Sequence, residues 1–309
     1  MVCFLLAVPA QASKLNLPSE ATQGLRLIYD GNPDAAIELF RKLQQQQPDL
    51  PLGYLLEANA RWWKLYCGAC EIKYGMIDAW RRPRLPEDDA YLALADKAVR
   101  LAEAQLKRAD TAEMRLYAGM GWLLRGRLLG LRDDRRGTAR VGVKAREHLL
   151  RALQLDPEMT DAYAGLGLYN YYVDTLSALA RMLRFFMGIP GGSKKEGVRQ
   201  LEIAMNEGEL TAVEARFYLA KNLRNYDHKH ERAAALLAPL VEQYPRNPIF
   251  LLLLGDMNAK LGRVEKAATN FHAAEKLKIP DAACRARVEQ LAQMALAALA
   301  KPSAAPPAH

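Results

Sequence analysis

One helix face recurs along this chain at a fixed interval, and such a recurrence limits the fold more than any single motif can. In "ERAAALLAPLVEQYP" and "EKAATNFHAAEKLKIP", Ala233 and Ala267 stand 34 residues apart, as do Leu237 and Phe271, and Leu240 and Ala274. The same three-position face occurs earlier as Ala36, Phe40 and Leu43, and as Ala145, Leu149 and Ala152. Steps of +4 and +3 place the three side chains on one face of a helix. A proline follows five residues after the third position at Pro48, Pro157 and Pro245, and six after it at Pro280. Proline stops a helix and begins the next turn. A unit of this kind cannot bury its face alone, so the pattern predicts a stack of units sharing one apolar seam.

The partner helices carry the other half of the pattern. "DAYAGLGLYNYY" presents Tyr163, Leu166 and Gly167, and "IFLLLLGDMNAKLGRVEKA" presents Leu251, Leu254 and Gly255. Glycine inside a helix costs roughly 1 kcal/mol against alanine, so its recurrence asks for close approach of two antiparallel helices. Ala and Leu dominate the apolar residues while Val, Ile and Thr are sparse, which favours helix over strand.

These spacings resemble the tetratricopeptide repeat, in which W-x2-L-G-x2-Y, A-x3-F-x2-A and P recur about every 34 residues. Gly24, Ala36, Phe40 and Pro48 match one copy, and Leu254, Gly255, Ala267, Phe271 and Ala274 match another. The stretches Tyr163–Gly167, Glu214–Pro245 and Ala145–Pro157 match in part. The resemblance implies an all-α fold, a right-handed superhelix (solenoid) of antiparallel helix pairs spanning residues 17–300, with two insertions. It also implies a concave face that binds a protein or peptide partner through fixed positions of each first helix. Those positions are Asp161, Ala164, Leu168, Tyr171 and Tyr172, then Ala215, Tyr218, Asn222, Asn225 and Tyr226, then Ile249, Leu252, Asp256, Ala259 and Lys260. The candidate partner-binding residues among them are Tyr171, Tyr172, Tyr218, Asn222, Asn225, Tyr226, Asp256 and Lys260. Core packing is the competing reading for each tyrosine.

Two places depart from the repeat. After Trp62-Trp63 comes "KLYCGACEIKYGMIDAWRRPRLPED", far longer than a tight turn. In the fourth unit the second-helix pattern resumes 18 residues late, at Gly197, Leu201 and Ala204. The segments "GIPGGSKKEGVRQLEIA" and "LLAPLVEQYPRNPIFLLLLGDMNAKLG" also resemble the inclusion-body clearance family and its animal tetratricopeptide-39 relatives. That second resemblance implies a scaffold or adaptor, not an enzyme.

The remaining motifs point the same way. "GIPGGSKKEG" has glycines and lysines, yet a phosphate loop needs a preceding strand and a lysine before the hydroxyl residue. Ser193 and Glu196 instead have capping-box spacing, so a helix start is expected there and no nucleotide. The stretch 175–187 reads as an amphipathic helix with Arg181 and Arg184 beside its apolar side. It suits packing in the core, with membrane-surface contact as the alternative. Cys67 and Cys70 form a C-x-x-C pair, read as a local disulfide or, alternatively, as the site of a thiol-disulfide redox protein. Cys284 reads as a small buried apolar residue. His228 and His230 lie in a turn with no third ligand in view, so no metal and no cofactor is expected.

The formal charge of +8 is scattered and interleaved with acidic residues, which argues against nucleic acid as a partner. "CFLLAVPAQAS" reads as a truncated signal peptide over residues 1–12, with A-x-A before Ser13. The tail 301–309 has the composition of a disordered end. The expectation is a non-catalytic binding scaffold, exported to the periplasm of a bacterial cell envelope, or cytoplasmic if the N-terminal run is no signal.

Overall fold

The computed structural model describes residues 15–73, 76–78, 83–176 and 188–300. Its helices follow one another as antiparallel pairs: α1 (Ser19–Tyr29) with α2 (Pro33–Gln46), α3 (Pro51–Ala69) with α4 (Glu87–Leu106), and α5 (Ala112–Leu131) with α6 (Arg135–Leu155). Next come α7 (Ala162–Asp174) with α8 (Lys194–Glu207), α9 (Ala212–Asn225) with α10 (His230–Gln243), and α11 (Pro248–Lys260) with α12 (Val264–Glu275). A last helix, α13 (Ala282–Leu299), closes the series. Expected as purely helical, the chain also contains a short antiparallel hairpin, β1 (Glu71–Lys73) with β2 (Met76–Asp78), in its first long insertion. Ile72 pairs with Ile77 in the register of the two strands.

Side-chain caps set the helix starts. Asn32, Thr111, Asp134, Asn247 and Asp281 each accept a hydrogen bond from a backbone N–H of the first turn that follows. Such a cap satisfies a donor that the helix cannot, and typically contributes about 1 kcal/mol. Ser193 does the same for α8, accepting from the Glu196 N–H at 3.3 Å. The Glu196 carboxylate turns to Arg199 instead of back to the cap, and that guanidinium holds it below the ordinary carboxylate range. "GIPGGSKKEG" is therefore the start of a helix.

Second helices bury a single stripe, as the recurrence predicts: Ala36, Ile37, Phe40 and Leu43 on α2, and Ala267, Phe271 and Ala274 on α12. A Cβ on Gly255 would come within 2.6 Å of Phe271, so glycine is what lets α11 approach α12. First helices behave differently. Fourteen of the nineteen residues of α3 and eleven of the thirteen of α11 are buried. A helix buried on every side belongs to a core, not to the wall of an open groove.

The array winds back on itself. Helix α13 packs along α3, and the Tyr29 carbonyl at the end of α1 accepts from Asn247 Nδ2 at 2.8 Å. Asp30 pairs with Arg246 beside it. Gly31 sits in this contact with φ of 79°, and a Cβ there would collide with the Arg246 carbonyl oxygen. Gly262 has nearly the same backbone, φ 71°, with nothing within 4 Å of the Cβ position. Gly262→Ala is thus expected to show the backbone strain alone, about 1 kcal/mol. Gly31→Ala is expected to lower the denaturation midpoint clearly further, because the first unit must also move off the loop before α11. Equal shifts in the two variants would show that the contact between the ends contributes nothing.

Candidate functional site

The expected concave groove is occupied by the chain's own aromatic residues. Trp62, Trp63 and Tyr66 project from α3 onto α9 and α11, where Trp63 meets Phe217 and Phe250 at ring-centroid distances of 5.2 and 5.7 Å. Tyr29 adds an edge contact to Trp63 at 5.8 Å. Several polar atoms in this interior are paired. Trp63 Nε1 donates to Glu214 Oε1 at 3.1 Å, and Trp62 Nε1 donates to the Tyr218 hydroxyl at 3.1 Å. Arg127 reaches in from α5, ion-pairs with Glu214, and donates to Asn59 Oδ1 at 3.1 Å. Burial opposes its charge, but Glu214 and Tyr218 outweigh that effect and hold the guanidinium protonated. The cavity left beside Arg127, Glu214, Leu55 and Leu168 has a volume of about 40 Å³, room for a few waters and not for a peptide.

This filling changes the meaning of the candidate groove residues. Asp161 is buried and accepts from the backbone N–H groups of Glu209, Leu210 and Thr211 at 3.1, 2.9 and 2.8 Å, so it positions the next pair of helices. Ala215, Ile249 and Leu252 are buried. Tyr218 belongs to the central aromatic cluster. Asp256 is a buried partner of Arg224, accepting from Nε at 2.7 Å, with Nη2 2.6 Å away in the same ion pair. Burial pushes the Asp256 carboxyl up from its ordinary range, against the pull of that guanidinium. Asn222 is fully buried, with its side-chain oxygen accepting from the Tyr172 hydroxyl at 3.0 Å. Tyr171 is buried too, its hydroxyl lying 3.1 Å from the Asn222 carbonyl and 2.9 Å from the Asp227 carboxylate. These residues face inward because the inner helices converge among the described residues.

A smaller set reaches solvent. Tyr226, at the end of α9, is 36 % exposed and packs its ring 6.0 and 6.1 Å from Tyr171 and Tyr172. Lys260 is exposed at the end of α11, and half-buried Asn225 lies beside Tyr226, accepting from Arg224 Nη1 at 2.6 Å. With half-buried Tyr172 these four stand at the C-terminal ends of three successive first helices, α7, α9 and α11. Both long insertions leave from the corresponding ends of α3 and α7. The exposed candidates therefore form a rim.

The chain is similar to solved helical-repeat structures. One is YrrB, a TPR protein with an unusual peptide-binding site, at 19 % identity and a TM-score of 0.34, covering 82 % of this chain and 100 % of that one. Another is TTC0263, a thermophilic TPR protein of Thermus thermophilus, at 14 % identity and 0.31, with 88 % and 96 % covered. Yeast Tom70 aligns at 13 % identity and 0.30, over 90 % and 88 %. No protein-family model and no curated protein matches the chain.

The cysteines correct the expected local pairing. Cys67 is bonded to Cys284, 217 residues away, and Cys284 is thus a disulfide partner and not a plain core residue. Cys70 is buried and holds its thiol against the Cys67 carbonyl at 3.1 Å. The C-x-x-C spacing put the two cysteines close together; the stacking of α13 on α3 brought a third nearer. His228, with φ of 54°, sits in the turn before α10 and His230 is the first residue of that helix, their rings 6.1 Å apart. No three His, Cys, Asp or Glu side chains gather into a metal site among the described residues. The expected helix over 175–187 lies largely outside the described residues, as do the stretches 1–12 and 301–309. No described helix is long and apolar enough to cross a membrane.

Trp62, Trp63, Arg127 and Glu214 organise the interior, and the repeat spacing marks none of them. A local signal existed for the two indoles alone: in "YLLEANARWWKLY" the charged residues Glu57, Arg61 and Lys64 fall on one stripe, which leaves most of the remaining helix surface apolar.

Proposed function

We propose that this chain is a non-catalytic scaffold that binds a protein or peptide partner, and that the partner engages the rim of first-helix ends. The reading rests on one observation: of the candidate contact residues, Tyr172, Asn225, Tyr226 and Lys260 keep access to solvent while the groove between them is filled. A partly exposed tyrosine packed on two others is rigid, loses little entropy on contact, and offers a large area to a partner. Asn225 and Lys260 supply polar contacts at its edge.

The Cys67–Cys284 disulfide supports an oxidising compartment, in line with export to a bacterial cell envelope. Fractionation of cells making the full chain would then recover it with periplasmic markers, and recovery with cytosolic ones would refute that location.

A photo-reactive phenylalanine analogue placed at Tyr226 tests the rim, with the same analogue at Arg140, an exposed position on α6, as the control. The expected result is a discrete adduct in cells from position 226 that Lys260→Glu weakens, with no such adduct from position 140. Absence of an adduct at 226, or the same adduct from both positions, would remove the rim as a binding surface.

A further inference from the structure

The seam between α3 and α13 is built from three rungs that climb both helices in step. Lys64 Nζ stands 3.6 Å from Asp281 Oδ2, Cys67 is bonded to Cys284, and Arg287 donates to the Cys70 carbonyl. Each step is three residues on either helix, so the two helices run parallel here and present matching faces. Cys70 is the residue that ends α3, with φ of −63° and ψ of 149°, and its thiol lies against the backbone of Cys67. A disulfide, a third cysteine three residues from one of its sulfurs and a cation on the same face occupy one site. Cys67, Cys70 and Cys284 are all buried, so a reductant in solution has poor access to them.

We propose that the Cys67–Cys284 bond is a latch which Cys70 opens by internal thiol–disulfide exchange. The Cys70 thiolate attacks Cys67 Sγ. The Cys67–Cys70 bond forms as the Cys67–Cys284 bond breaks, and Cys284 leaves as a thiolate that takes up the proton Cys70 gave away. One disulfide and one thiol are present before and after, so the step needs no oxidant or reductant. The Arg287 guanidinium is held at the backbone carbonyl of Cys70, the residue that attacks, and a cation in its neighbourhood favours the thiolate form.

The packing of the seam decides which pairing persists. With α13 seated on α3, Cys284 is held at Cys67, and the long-range bond is kept. When α13 lifts, Cys284 is carried away from Cys67 with its helix while Cys70 stays three residues from it, and the local pair takes over. Exchange then holds the seam open. What it uncovers is the far side of α3, the helix that carries Trp62, Trp63 and Tyr66. This proposal does not depend on the rim as a binding surface.

The test uses the full chain with Cys3→Ser, so that Cys3 takes no part in exchange. The protein is warmed to just below its unfolding midpoint without added thiol, quenched, alkylated and digested with trypsin. Cys67 and Cys70 share one tryptic peptide, residues 65–73, and Cys284 lies in another, residues 279–285. The expected result is a peptide 65–73 lighter by two hydrogens together with alkylated Cys284. Cys70→Ser and Cys70→Ala, two variants so that one folded protein suffices, are expected to reduce Cys284 alkylation about tenfold or more, since the attacking thiol is gone. Two outcomes would overturn the proposal: Cys284 remaining blocked in the chain that retains Cys70, or equal alkylation of Cys284 with and without Cys70.

Discussion

Replacing Arg127 by Met is expected to destabilise the protein by roughly 3–5 kcal/mol, the largest effect of any polar substitution here. Arg127 comes from α5 and Glu214 from α9, so their pairing crosses the centre of the molecule. The carboxylate of Glu214 has only 9 % of its side-chain surface exposed and also accepts from Trp63. Without the guanidinium it stays buried with one indole donor against a full negative charge. Removing both charges is a different matter. The double variant Arg127→Met with Glu214→Gln is expected to regain most of the lost stability, because taking charge out of an interior also removes its desolvation penalty. Urea denaturation of the two single variants and the double variant measures the coupling directly. Additive losses would mean that the two side chains act independently and that the interior pairing is incidental.

Trp63→Ala is expected to cost a similar amount, about 3–5 kcal/mol, for the opposite reason. The indole is 5 % exposed and sits between Tyr29 of the first unit, Phe217 of the fifth and Phe250 of the sixth. Its loss leaves a hole that three separate units would have to collapse to fill. Trp63→Phe keeps most of the contact area and gives up the bond to Glu214, so a loss of about 1–2 kcal/mol is expected from it. The ordering of the two variants separates packing from hydrogen bonding. If Trp63→Ala were as mild as Trp63→Phe, the aromatic cluster would not be what joins the ends of the array.

Local pattern reached the helix pairs but not the way they close. Ala36, Phe40 and Leu43 announce the buried stripe of α2 by their spacing alone, because a stripe at +4 and +3 has only one way to face a core. Ser193 announces the start of α8 in the same way, since a cap bonds within three residues of itself. Tyr171, Asn222 and Asp256 show the limit. Their positions in the repeat place them on the inner side of the array, and they are there. Whether that side faces solvent or the protein's own helices depends on curvature, which accumulates over all the units and is written in no single one. The cysteines show the same limit. Cys67 and Cys70 are close in sequence, whereas the partner of Cys67 is 217 residues away and arrives only when α13 stacks on α3.

The sequence by itself determined the units: where each helix begins, which stripe it buries, and that the stripes join into one seam. These are short-range matters of periodicity, capping and proline placement, and they survive in any window of about 34 residues. Tertiary structure alone decided that the array returns to meet itself, that Trp62 and Trp63 fill its centre over the Arg127–Glu214 pair, and that Cys284 reaches Cys67. Small rotations between successive pairs add up until the first units touch the last, and only that sum turns an open concave face into an interior.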